Sequence, residues 1–142
     1  MKKLNLYPRM GDSNMRHIES IINVGLTEDF KDFLKLNGGL SHYERFFIDQ
    51  DKTVWEVNSY LNYSELFKLT SEFLEKYKRK LIPFALDMGG WHFCLCLDEG
   101  SDMGGIIVNR WTDHLPTDQF LKIADNFNDF INGLKTEEEV DL

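Results

Sequence analysis

Apolar residues recur at two different spacings along the chain, and the changes of spacing divide it into elements. Met15, Ile18, Ile21 and Ile22 lie on one side at helical spacing, with Asp12 or Ser13 placed to cap that helix and Gly25 placed to end it. Thr27 is placed to cap a second helix, in which Glu28 and Asp29 oppose the positive end and Phe30, Phe33 and Leu34 fall at i, i+3 and i+4. Asn37-Gly38-Gly39 is the expected stop. The period then shortens: residues 45–48 and 53–57 read as two strands of a hairpin turning on Asp49-Gln50-Asp51-Lys52. Ser64 is placed to cap a third helix carrying Leu66, Phe67, Leu69, Phe73, Leu74 and Tyr77, and the cations Lys76, Lys78, Arg79 and Lys80 suit its negative end.

Residues 83–97 hold two apolar runs around Asp87-Met88-Gly89-Gly90, and they predict the central hairpin. Pro83 lacks an N–H and fits a strand start or an edge, while Gly89 and Gly90 supply the positive φ angles of a tight reversal. Residues 91–97 are apolar at nearly every position, the mark of a strand buried on both faces. A glycine-rich acidic loop over residues 98–105 leads into a strand over residues 106–111. Phe120, Ile123, Ala124, Phe127, Phe130, Ile131 and Leu134 recur at helical spacing and predict a closing helix of about four turns over one sheet face. Residues 136–142 read as an acidic tail, frayed over 137–141. Helices at both ends with antiparallel strands between define an α+β class, with a central, mostly antiparallel sheet of about five to six strands.

Composition narrows the function more than the fold. A chain of 142 residues is expected to form a single domain over 1–142, with its core over about 14–135, and can bury roughly 70% of its unfolded surface. The net charge of −8 lacks the basic patch that nucleic acid or an anionic membrane demands, and favours a basic protein partner. Met1 to Arg9 contains two lysines but no secretory apolar core or cleavage site, and no run approaches a membrane span, so a cytoplasmic protein is expected. Cys94 and Cys96, one residue apart in a predicted strand, are poorly placed to bridge each other.

His92, Cys94 and Cys96 share strand parity and project from one face, about 6.6 Å apart in succession. Zinc needs three or four convergent ligands, and His17, His42 and His114 are isolated, so packing under a helix is preferred and no metal is expected. A cysteine nucleophile needs a base and an orienting group that nothing in the sequence supplies, and the serine elbow, phosphate loop and dinucleotide motifs are absent. Asp98, Glu99 and Asp102 do not follow the calcium-loop order. No catalytic residue and no cofactor are therefore expected. Trp55, Trp91 and Trp111 fall on three predicted strands beside Glu56, Asp87 and Asp113, a combination that serves either as core or as the aromatic and acidic anchors of a protein-binding surface.

Leu26-Thr27-Glu28-Asp29-Phe30-Lys31-Asp32-Phe33-Leu34 leading into Asn37-Gly38-Gly39, then residues 83–90, then Ile123-Ala124-Asp125-Asn126-Phe127-Asn128-Asp129-Phe130-Ile131, resemble in that order the motifs of the SUKH superfamily. The resemblance spans about residues 14–135. It implies an α+β domain whose bacterial members bind and neutralise the toxin domain of a polymorphic toxin system, often a nuclease, without being enzymes themselves. Its fungal members imply an alternative, a regulatory interaction domain with no toxin partner. Two positions depart from the pattern: Trp91 stands where Asn often follows the glycine pair, and Thr27 replaces a frequent Pro. The expected partner-binding set is Asp87, Gly89, Gly90, Trp91, Trp55, Glu56, Asp98, Glu99, Asp102 and Trp111.

Overall fold

A computed structural model describes residues 10–36, 44–112 and 116–140. Helix α1 (Asp12–Ile22) follows Gly11, whose N–H donates to Asn14 Oδ1, and ends at Asn23 in the left-handed conformation. Asp12 and Ser13 therefore lie inside the helix, and Asn23 terminates it before Gly25 is reached. Helix α2 (Glu28–Leu36) begins after Thr27, as expected, but the Thr27 hydroxyl is buried with no hydrogen-bond partner among the described residues. The expected stop at Asn37-Gly38-Gly39 lies outside those residues.

Strands β1 (Phe46–Ile48) and β2 (Val54–Tyr60) form the predicted hairpin. Asp49 builds its turn: Oδ1 accepts from the Asp51 and Thr53 N–H groups, and Lys52 adopts a positive φ. Helix α3 (Tyr63–Tyr77) starts two residues earlier than a cap at Ser64 implies. Asn62 and Glu65 cap each other's backbone reciprocally, the most economical way to satisfy two free N–H groups.

Strands β3 (Leu81–Asp87), β4 (His92–Cys96), β5 (Ile106–Asn109) and β6 (Phe120–Ala124) complete a six-stranded, wholly antiparallel sheet in the order β1-β2-β3-β4-β5-β6. Pro83 sits in the middle of central strand β3, neither at its start nor at an edge. The register shifts between Pro83 and Ala85, and a bulge there accommodates the missing donor. Helix α4 (Phe127–Asn132) and the helical turn α5 (Glu137–Val140) close the chain. Residues 137–140 are thus ordered as a turn capped by mutual Thr136 and Glu139 hydrogen bonds, instead of frayed.

The predicted four-turn closing helix is corrected to a strand and a short helix. Residues 120–124 pair with β5, and Asn126, in extended conformation, caps a new helix by accepting from the Asp129 N–H. Phe120 and Ile123 match a helical stripe, yet β5 needs an antiparallel neighbour, and sheet pairing wins over the local period.

Strand alternation sorts the core onto two faces. On one, Ile82, Phe84, Phe93, Leu95 and Val108 meet Ile18, Phe30, Leu34, Phe127 and Phe130, all buried. Phe30, Phe84 and Phe127 pack edge to face with centroids 5.0 to 5.9 Å apart. On the other face, Leu81, Cys94, Cys96 and Ile107 lie under Phe73 of α3. That second face is covered over only part of its width.

Candidate functional site

The turn between β3 and β4 is held by one carboxylate. Asp87 Oδ1 accepts from the N–H groups of Gly89 and Trp91, at 2.9 and 2.8 Å, while the Asp87 N–H donates to the Trp91 carbonyl. Gly90 alone of the glycine pair takes a positive φ, +90°, and the left-handed turn rests on it. This pinning leaves the Met88 side chain 64% exposed at the tip. Trp111, at the end of β5, folds back over the same turn: its Nε1–H donates to the Gly90 carbonyl at 3.0 Å, and 51% of the residue remains exposed.

The three tryptophans divide between core and surface. Trp55 is buried, and its Nε1–H donates to Asp49 Oδ2 at 2.9 Å. Trp91 is half-buried, 6.4 Å from the Trp55 ring, and donates from Nε1 to Thr112 Oγ1 at 2.9 Å. Trp91 thus props the turn from below and is not at its tip. Trp111 is the tryptophan that faces out.

The expected acidic positions are dispersed. Glu56 pairs with Arg45 at 3.2 Å on the first hairpin. Asp98, Glu99 and Asp102 sit beyond the far end of β4, a five-residue strand that separates them from the Asp87 turn by about 17 Å. Burial opposes ionisation of Asp98, but the Lys80 N–H at 2.7 Å and the Arg79 guanidinium at 2.8 Å outweigh it and hold this carboxyl below its ordinary range. Asp102 pairs with Lys122 at 3.7 Å, and Glu99 is exposed.

Behind the Trp111 shelf lies a pocket of about 280 Å³ between α3 and the second sheet face. Phe73 and Tyr77 form one wall, Trp111 another, and Lys76 stands at the rim. His92 and Asn109, direct partners across β4 and β5, form the floor beside Gln119. Asn109 is 1% exposed; its Oδ1 accepts from Gln119 Nε2 at 2.8 Å, but its Nδ2 is buried without a partner. His92 Nδ1 is likewise unpaired, and burial lowers the pKa of this imidazole despite the opposing pull of Asp87. Farther along the same face Cys94 and Cys96 are fully buried, and desolvation pushes both thiols up, away from nucleophilic or metal-binding thiolates. Among the described residues no group of three His, Cys, Asp or Glu side chains is placed to hold a metal ion, and no helix is long and apolar enough to cross a membrane.

Met88, Asn109, Gln119 and Thr112 were not singled out by their sequence context. Asn109 carried a signal: it breaks the apolar run Ile106-Ile107-Val108 in a strand expected to be buried.

An antiparallel meander backed by helices, with a pinned turn between two of its central strands, defines an α+β domain. The family model described as SMI1-KNR4 cell-wall matches residues 12–131, and the chain belongs to that family. The SPbeta prophage-derived uncharacterized protein YokK of Bacillus subtilis (strain 168) is 24% identical, over 92% of this chain and 78% of its own length. No solved structure matches.

Proposed function

We propose that this chain is a non-enzymatic, cytoplasmic immunity protein that binds and neutralises a basic toxin domain of a bacterial polymorphic toxin system, a nuclease being one candidate. The observation that carries the reading is the pairing of Met88 and Trp111 as exposed apolar side chains over a turn whose backbone is already fixed. The pinned backbone and the rigid Trp111 ring leave little conformational entropy to be lost on docking, and the polarisable Met88 thioether adapts to the surface it meets. The charge of −8 steers a cationic partner toward this surface, and family membership and a prophage-derived relative fit a mobile defensive gene. Asp87, Gly89, Gly90 and Trp91 serve the interface by shaping the tip, and Trp111 and Met88 make the contact. Trp55, Glu56, Asp98, Glu99 and Asp102 act at a distance, through folding and charge.

The test is co-expression with toxin domains encoded beside the gene. Growth should be restored and a complex should co-purify, and Met88→Asp combined with Trp111→Ala should abolish both while the thermal melt is retained. Neutralisation that survives the double variant removes this surface from the reading. The family's cell-wall description supports a second reading, a regulatory interaction domain. A stable, non-toxic partner captured through the same two side chains would favour it.

A further inference from the structure

The pocket behind Trp111 has features that protein docking at the tip does not require. Its volume, about 280 Å³, lies near the lower limit of small-ligand sites and suits a single ring better than a nucleotide. Its walls are aromatic on two sides, through Phe73 and Tyr77 on α3 and Trp111 at the end of β5. Two of its polar groups, Asn109 and Lys76, offer donors with no acceptor or anion opposite them among the described residues. Asn109 Nδ2 has no acceptor, although the residue is almost wholly buried, and a buried amide donor without a partner is destabilising. Lys76 at the rim has no ion-pair partner among the described residues; its ammonium lies over the Tyr77 ring, at 5.3 Å. The neighbouring carboxylate, Asp87, accepts two backbone N–H groups on Oδ1.

Aromatic walls with a surplus of donors and a free cation match a flat ring that ends in an oxyanion. We propose that this pocket binds a small planar aromatic carboxylate, its ring between Trp111 and the Phe73–Tyr77 wall and its oxygens toward Asn109 Nδ2 and Lys76. Such a ligand supplies the acceptor that Asn109 lacks, and places its charge where Lys76 is unopposed. The ligand shares Trp111 with the proposed docking surface, but its binding is read on the free chain and needs no toxin partner.

Benzoate is the probe, titrated into the isotopically labelled full chain and followed by NMR. Saturable shifts are expected at the His92 ring, the Trp111 indole and the Asn109 side-chain amide. Benzamide, which keeps the ring and loses the charge, and acetate, which keeps the charge and loses the ring, should each bind at least about tenfold more weakly. Trp111→Ala and Lys76→Gln should each weaken benzoate about tenfold. Both side chains are exposed, so the fold should survive these changes, and far-UV circular dichroism checks that it does. Absence of saturable shifts overturns the proposal. So does benzamide binding as well as benzoate, or benzoate affinity unchanged in both variants.

Discussion

The two faces of the sheet are built from the same six strands and meet opposite requirements. One face is closed: Phe84, Phe93, Leu95 and Val108 are buried beneath three helices that meet them with the buried side chains Ile18, Phe30, Leu34, Phe127 and Phe130. Among the described residues the other is covered by the later part of α3 with Phe120 beside it, and along it the side chains of β4 and β5 pass from Cys96, Cys94 and Ile107 to His92 and Asn109. A closed face gains stability from packing at crystal-like density. A half-closed face can leave polar groups at its margin, within reach of something other than the chain itself. Strand alternation thus separates a closed core from a partly open face, with β4 contributing to both at successive residues.

Equivalent truncations on the two faces should expose that division. Phe84→Ala removes a fully buried ring that touches Phe30, Phe127 and Phe130, and it should cost about 3 to 5 kcal/mol in chemical denaturation, because surrounding backbone cannot collapse into the void. Phe73→Ala on the second face should cost less, about 2 kcal/mol, since the space it vacates joins a pocket that water can enter. A larger loss at Phe73 than at Phe84 would break the distinction, and would make the second face the principal core.

Much of this was readable from the chain. The first two helices, the Asp49 hairpin, the third helix and the Asp87-Met88-Gly89-Gly90 reversal all follow from local rules that tertiary context reinforces. The closing segment was not, because Phe120, Ile123 and Ala124 satisfy a helical period and a strand equally well; the deciding factor is β5, more than ten residues upstream, which needs a partner. Pro83 misleads in a similar way, since a bulge that tolerates proline is a property of two strands together. At the candidate site, sequence parity correctly placed His92, Cys94 and Cys96 on one face, and packing of the two cysteines is what the structure shows. It could not tell which tryptophan turns outward. Nε1 partners decide that: Asp49 and Thr112 hold Trp55 and Trp91 inward, while the Gly90 carbonyl holds Trp111 across the turn.

The smallest expected effect concerns His92, which lies where the apolar part of β4 gives way to the pocket. Burial lowers its pKa in the folded chain, against an ordinary imidazole value of about 6.5 in the unfolded one. Below about 6.5 the unfolded state therefore takes up a proton that the folded state resists, so stability rises with pH through this window and levels off above it. Asp87 opposes the shift by favouring the imidazolium, and it therefore reduces the slope. His92→Gln keeps a polar side chain of similar reach and removes the titration. Urea midpoints measured between pH 5 and pH 7.5 should show a flatter profile for the variant than for the parent. An identical slope in both would mean that His92 titrates as it does in water, that its side of the sheet is open, and that the boundary between the packed and the binding region lies deeper in β4, at Cys94.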